Sequence, residues 1–124
     1  MVDSFSIDAN ARLVSVKFSG NLALNDLRSY ISALRQDPNF DPEFSELVDL
    51  TAVTSTEIDT AKSALLSEAA DPFSRQSKRA FVVQNEAIYH VVRIYQMMRE
   101  GEDAAGIKLF RTLEEARVWL VVGR

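Results

Sequence analysis

Leu47-Val48-Asp49-Leu50 is a short apolar run carrying a single acid, and the segments around it set the architecture. A run this short, with apolar residues in consecutive positions, suits a strand buried on both faces. It leads into Thr51-Ala52-Val53-Thr54-Ser55-Thr56, a polar and β-branched segment. After it, Ile58, Ala61, Leu65 and Ala69 recur at helical spacing, and Pro72 stops the pattern. Ala80-Phe81-Val82-Val83 then repeats the doubly apolar strand. A strand, a helix and a second buried strand in that order require a crossover connection, and hence parallel neighbours.

Towards the N-terminus, Phe5 and Ile7 alternate with Ser4, Ser6 and Asp8, and Val14, Val16 and Phe18 alternate with Ser15 and Lys17. Period-two alternation marks half-buried strands. The intervening Ala9-Asn10-Ala11-Arg12 predicts a tight turn, because asparagine tolerates left-handed backbone geometry, and the second strand is expected to end at Gly20. Over residues 21–37 the period lengthens, with Leu24, Leu27, Ile31 and Leu34 on one helical stripe that Pro38 terminates.

Towards the C-terminus, Asn85 is a good N-cap for a third helix, whose apolar side is expected at Ala87, Val91, Ile94 and Met98, widened by Ile88, Val92 and Tyr95. Ile107 and Leu109 read as one face of a last strand, with Lys108 and Phe110 on the other. Thr112 and Glu115 have capping-box spacing ahead of a final helix with Leu113, Ala116, Trp119 and Leu120 on its apolar side. The predicted order is β-β-α-β-α-β-α-β-α, one α/β domain over residues 1–124 with a mixed, mainly parallel sheet and helices packed on it.

Composition removes several function classes. The 124 residues hold 14 Lys+Arg against 18 Asp+Glu, a formal charge of −4, with one histidine and no cysteine. An acidic balance argues against a general nucleic-acid binder, which presents a basic face. Without cysteine there is no disulfide framework, thiolate zinc site or cysteine nucleophile. The P-loop, the G-x-G-x-x-G fingerprint and the G-x-S-x-G elbow are also absent. His90 falls on a helix flank with Glu86, Arg93 and Met97, where a solvated role is expected. The first residues lack the basic and apolar regions of a secretory signal, and no apolar run approaches the ~20 residues that cross a bilayer. A cytoplasmic location, no integral membrane segment, no catalytic residue, no metal and no cofactor are therefore expected.

Asp49, Glu57 and Asp59 gather around the predicted strand-to-helix turn, beside the hydroxyls Thr54, Ser55 and Thr56. Hydroxyls at a helix N-terminus lie near unpaired N–H groups and the positive end of the helix dipole, a setting that holds an added phosphate well. The same residues also have capping-box spacing, Thr54 with Glu57 and Thr56 with Asp59. An acid inside an apolar strand needs a partner, so Asp49 either braces the turn or lies at the ligand crevice of an open sheet. Arg75, Lys78 and Arg79, with Ser74 and Ser77, form a basic cluster expected on a solvated loop.

The element order, with Asp49-Leu50-Thr51 ahead of a helix, resembles the sulfate-transporter and anti-sigma-factor-antagonist (STAS) fold. More closely, Arg93-Ile94-Tyr95, Leu109-Phe110-Arg111, Glu115-Ala116 and Trp119-Leu120 resemble the uncharacterised stage II sporulation protein AA-like (SpoIIAA-like) family, often grouped with lipid-binding lobes of the Sec14 type. In anti-sigma-factor antagonists the corresponding turn carries an acid, two serines and a glycine. Ungapped alignment puts Glu57 at the acid, Ile58 and Asp59 at the serines, and Thr60 at the glycine, so an aspartate stands at the phosphoacceptor position.

The resemblance implies a non-enzymatic regulatory or interaction domain that binds a protein partner, or a second copy of itself as a homodimer, through residues 49–62. The alternative is a small-ligand or lipid carrier with a pocket between the sheet and the second and third helices, lined by Tyr95 and Met98. Methionine commonly fills irregular gaps, so these two residues equally suit a closed core.

Overall fold

Three successive parallel pairings decide the layout. The computed structural model describes residues 2–68, 72–74, 76–100 and 106–122. Strands β1 (Val2–Asp8), β2 (Leu13–Leu22), β3 (Ser45–Thr56), β4 (Arg79–Val82) and β5 (Ile107–Phe110) form a sheet in the order 1-2-3-4-5. β1 runs antiparallel to β2, and every later neighbour is parallel. The helices are α1 (Leu24–Gln36), α2 (Thr60–Glu68), α3 (Glu86–Glu100) and α4 (Leu113–Val121). Among the described residues, no helix is long and apolar enough to cross a membrane.

Helices α1, α2 and α3 each link a strand to its parallel neighbour, always stepping in the same direction across the sheet. Right-handed crossovers place all three on one face. That face carries the larger core, where Val14, Val16 and Phe18 of β2 pack with Tyr30 and Leu34 of α1 and Ile88 and Val92 of α3. Helix α4 follows the last strand, so no crossover constrains it, and it covers the opposite face. There Ala116 and Leu120 pack on Leu47, Ala80 and Val82, with Trp119 at the rim. β3 and β4 are thus covered on both sides, which is why apolar residues fall in consecutive positions along them.

Two strands run further than their patterns predict. β2 continues past Gly20, which takes φ +65° where the register with β3 shifts, so the glycine bends the strand instead of ending it. β3 spans twelve residues, through Thr56. Between the Lys17–Asp49 and Ser19–Ala52 pairs it carries one extra residue. Asp49 braces this bulge, its Oδ1 accepting from the Thr51 N–H at 2.9 Å and the Thr51 hydroxyl at 2.7 Å. The extra residue changes the phase of alternation, so Leu50 and Val53 both enter the larger core. In the hairpin the left-handed residue is Arg12 (φ 55°), not Asn10, and Asp8 ties the turn by accepting from the Ala11 N–H.

The helices also depart in detail. α2 starts at Thr60, so neither predicted capping box forms. Asp59 is the cap, accepting from the Lys62 N–H at 2.9 Å, while the Thr56 hydroxyl accepts from the Ile58 N–H within the turn. Ile58 and Ser63 are buried, whereas Ala61 and Leu65 are exposed, and Ala69 lies outside the described residues. On α3 the buried stripe is Ile88, Val92 and Gln96, and Ala87 is exposed. Gln96 holds a core position because its Nε2 donates to the Ile107 carbonyl at 2.7 Å. Asn85 and Thr112 cap α3 and α4 as expected.

Asp59→Ala is expected to lower stability by about 1 kcal/mol, whereas Thr54→Ala, at an exposed site, stays within about 0.5 kcal/mol of the parent in urea denaturation. Asp26 gives a pH-dependent counterpart. The Ala23 N–H donates to its carboxylate at 2.8 Å and holds it below its ordinary pKa of 3.8. A lowered carboxyl pKa stabilises the fold at neutral pH and loses its effect on acidification. Asp26→Asn should therefore cost about 0.3–1 kcal/mol at pH 7, with the difference from the parent vanishing as the pH falls below 3.8.

Candidate functional site

Glu46 is the second residue of β3 and Arg79 the first of β4, and parallel register sets them side by side. Each alternates with a residue that packs against α4, Leu47 or Ala80, so both project to the face of the three crossover helices. Glu46 is only 1% exposed. Arg79 Nε donates to its Oε1 at 2.9 Å, and the Tyr30 hydroxyl, from α1, donates to its Oε2 at 2.5 Å. The Arg79 guanidinium also stacks over Phe73 at 5.1 Å, and Phe73 meets Phe40 edge-on at 5.2 Å. Burying a carboxylate is costly unless it is paired and hydrogen-bonded, and here each oxygen has a donor.

This cluster forms part of the wall of a partly open cavity of about 100 Å³ between the sheet and the crossover helices. The walls are otherwise largely apolar, with Leu27 and Ile31 from α1, Val48 and Leu50 from β3, and Val91 from α3, while Ser63 supplies a neutral polar position. Leu27, Ile31, Val91 and Tyr95 are half-buried, packed on the core without sealing it.

The residues singled out in the sequence are dispersed. Asp49 lies within β3, seven residues before Thr56, and alternation turns it to the α4 face, away from the cavity. Thr54, Ser55, Glu57 and Asp59 are exposed at the end of β3 and in the turn. The Ser55 hydroxyl donates to Asn21 Oδ1 and that of Thr56 to the Leu22 carbonyl, both at 2.8 Å. Glu57 pairs with Lys62 at 2.8 Å, and this hydrogen bond raises the lysine pKa. The acids therefore do not converge, and among the described residues no group of three or more metal-ligating side chains is arranged to hold an ion. Tyr95 lines the cavity, whereas Met98 is half-buried elsewhere.

The basic segment is not a solvated loop. Lys78 donates to the carbonyls of Trp119 and Val122 at the end of α4 and sits over the Trp119 ring at 5.1 Å. Ser77 is buried, its hydroxyl donating to the Pro42 carbonyl at 2.7 Å. Arg79 belongs to the buried cluster, and Arg75 lies outside the described residues. Unpaired backbone carbonyls at a helix end and a buried acid supply the partners that keep these side chains out of water.

Sequence reasoning missed Glu46 and Tyr30 and misread Arg79. A signal exists: opposite charges stand immediately before two apolar strands, Glu46 before Leu47 and Arg79 before Ala80. In-register parallel pairing of those strands brings the two together.

Neither the family models nor the curated proteins compared with the chain match it. Among solved structures, it is similar to the crystal structure of an uncharacterised protein of the DUF3478 family, with a SpoIIAA-like fold, from Shewanella loihica PV-4. The two share 17% identity with a TM-score of 0.57, over 97% of this chain and 92% of that one. The chain thus has the SpoIIAA-like α/β fold that the sequence resemblance implied.

Removing one partner of the buried pair should cost far more than removing both. Glu46→Ala or Arg79→Ala alone is expected to destabilise by about 3–5 kcal/mol, and Tyr30→Phe by about 1.5–3 kcal/mol. The double replacement Glu46→Leu, Arg79→Met should recover most of the single-variant loss in a urea-denaturation double-mutant cycle.

Proposed function

We propose that this domain is a non-enzymatic binding module for a small, mainly apolar molecule held between the sheet and helices α1, α2 and α3. The carrying observation is the cavity of about 100 Å³, whose mostly apolar wall includes a satisfied buried polar cluster. Binding sites for small molecules have this composition, apolar walls with a few placed polar groups.

The segment 49–62 supports a second, linked reading, in which a protein partner recognises its outer surface. Leu50 and Ile58 contribute to the cavity wall, while Thr54, Ser55 and Glu57 on the same segment face solvent. A ligand pressing on Ile58 would thus bear on the turn that a partner would meet.

Toluene titrated into ¹⁵N-labelled protein should shift the amides of Ile31, Val48 and Val91 in a saturable manner. Val91→Phe, which fills the cavity, should abolish the shifts while the rest of the spectrum stays folded. Saturable shifts that persist unchanged in Val91→Phe, or none in the parent, would refute the assignment.

A further inference from the structure

The polar part of the cavity wall has a definite chemical character. Glu46 and Arg79 are the only charged residues among the described lining residues, and they are paired with each other. An ionised carboxylate has about four lone-pair sites. Tyr30 donates to one oxygen of Glu46 and Arg79 to the other, so acceptor capacity remains. The guanidinium is turned towards Glu46 through Nε and stacks on Phe73. The wall therefore offers an acceptor beside a neutralised charge pair.

An anionic head group placed there gains attraction from Arg79 and meets repulsion from Glu46 at similar distance. The two largely cancel, and the cost of taking the anion out of water is left uncompensated. A hydroxyl is cheaper to desolvate and can donate to the carboxylate, a charge-assisted hydrogen bond.

Resting on the ligand-binding reading above, we infer that the cavity selects a neutral molecule with a hydroxyl donor, a small aliphatic alcohol or phenol, over a carboxylate of the same chain length. The head group lies against Glu46 and the apolar body runs between Ile31, Leu50 and Val91.

The test compares 1-hexanol with hexanoate by amide-shift titration at pH 7, with toluene as the head-group-free reference. 1-Hexanol is expected to bind at least about tenfold more tightly than hexanoate. Glu46→Gln, which removes the repelling charge, should narrow that gap by strengthening hexanoate. The parent comparison decides the matter even where that variant fails to fold. Hexanoate binding as tightly as 1-hexanol overturns the inference and leaves the ligand-binding reading standing. Absence of toluene binding to the parent overturns that reading and this inference with it.

Discussion

A carboxylate buried at the start of the central strand, held by Arg79 and Tyr30, is the constraint on which the rest of this structure depends. Glu46 and Arg79 are neighbours across β3 and β4 only in the observed register. Slipping either strand by one residue would separate two buried charges and turn each apolar set to the wrong face. The pair thus specifies strand alignment more than it adds net stability. Tyr30 extends the constraint to α1, and its ring is clamped edge-on by Phe5 and Phe18 of the first two strands.

From that alignment the layering follows. Sequential parallel strands with crossovers of one hand put α1, α2 and α3 on a single face, leaving α4 to close the other. Polar groups finish the joints that apolar packing leaves open. Lys78 satisfies carbonyls at the end of α4, Gln96 reaches a carbonyl of β5, and Asp49 braces the bulge that lets β3 run on into the turn. Each of these side chains is polar for a structural reason, and Asp49 imitates a site residue when read from the sequence alone.

The cavity arises where α1 meets the sheet through a polar tether as well as through apolar packing. Leu34 is fully buried at one end of the helix, while Leu27 and Ile31 remain half-buried along the opening. Keeping a charged pair at the wall fixes the position of one helix and gives the empty space a polar end, which is how the architecture and the proposed binding role come from the same three residues.

Local signals were legible in the sequence. Asn85 and Thr112 announced their helices because a cap acts on N–H groups two or three residues away, and Pro38 stopped α1 for a reason confined to its own ring. The alternation of Phe5, Ile7, Val14 and Val16 specified the hairpin, and the β-α order implied a parallel sheet. The bulge after Asp49 lay beyond that reach, since an extra residue in one strand exists only relative to its partner. The buried face of α3 also escaped, because Gln96 outcompetes Ala87 for the core only once the Ile107 carbonyl is beside it. The sequence by itself therefore determined the order of the elements and the caps of α3 and α4, which depend on neighbours along the chain. Tertiary structure alone decided the Glu46–Arg79–Tyr30 cluster and the cavity beside it, because charges 33 residues apart become partners only when two strands settle in register.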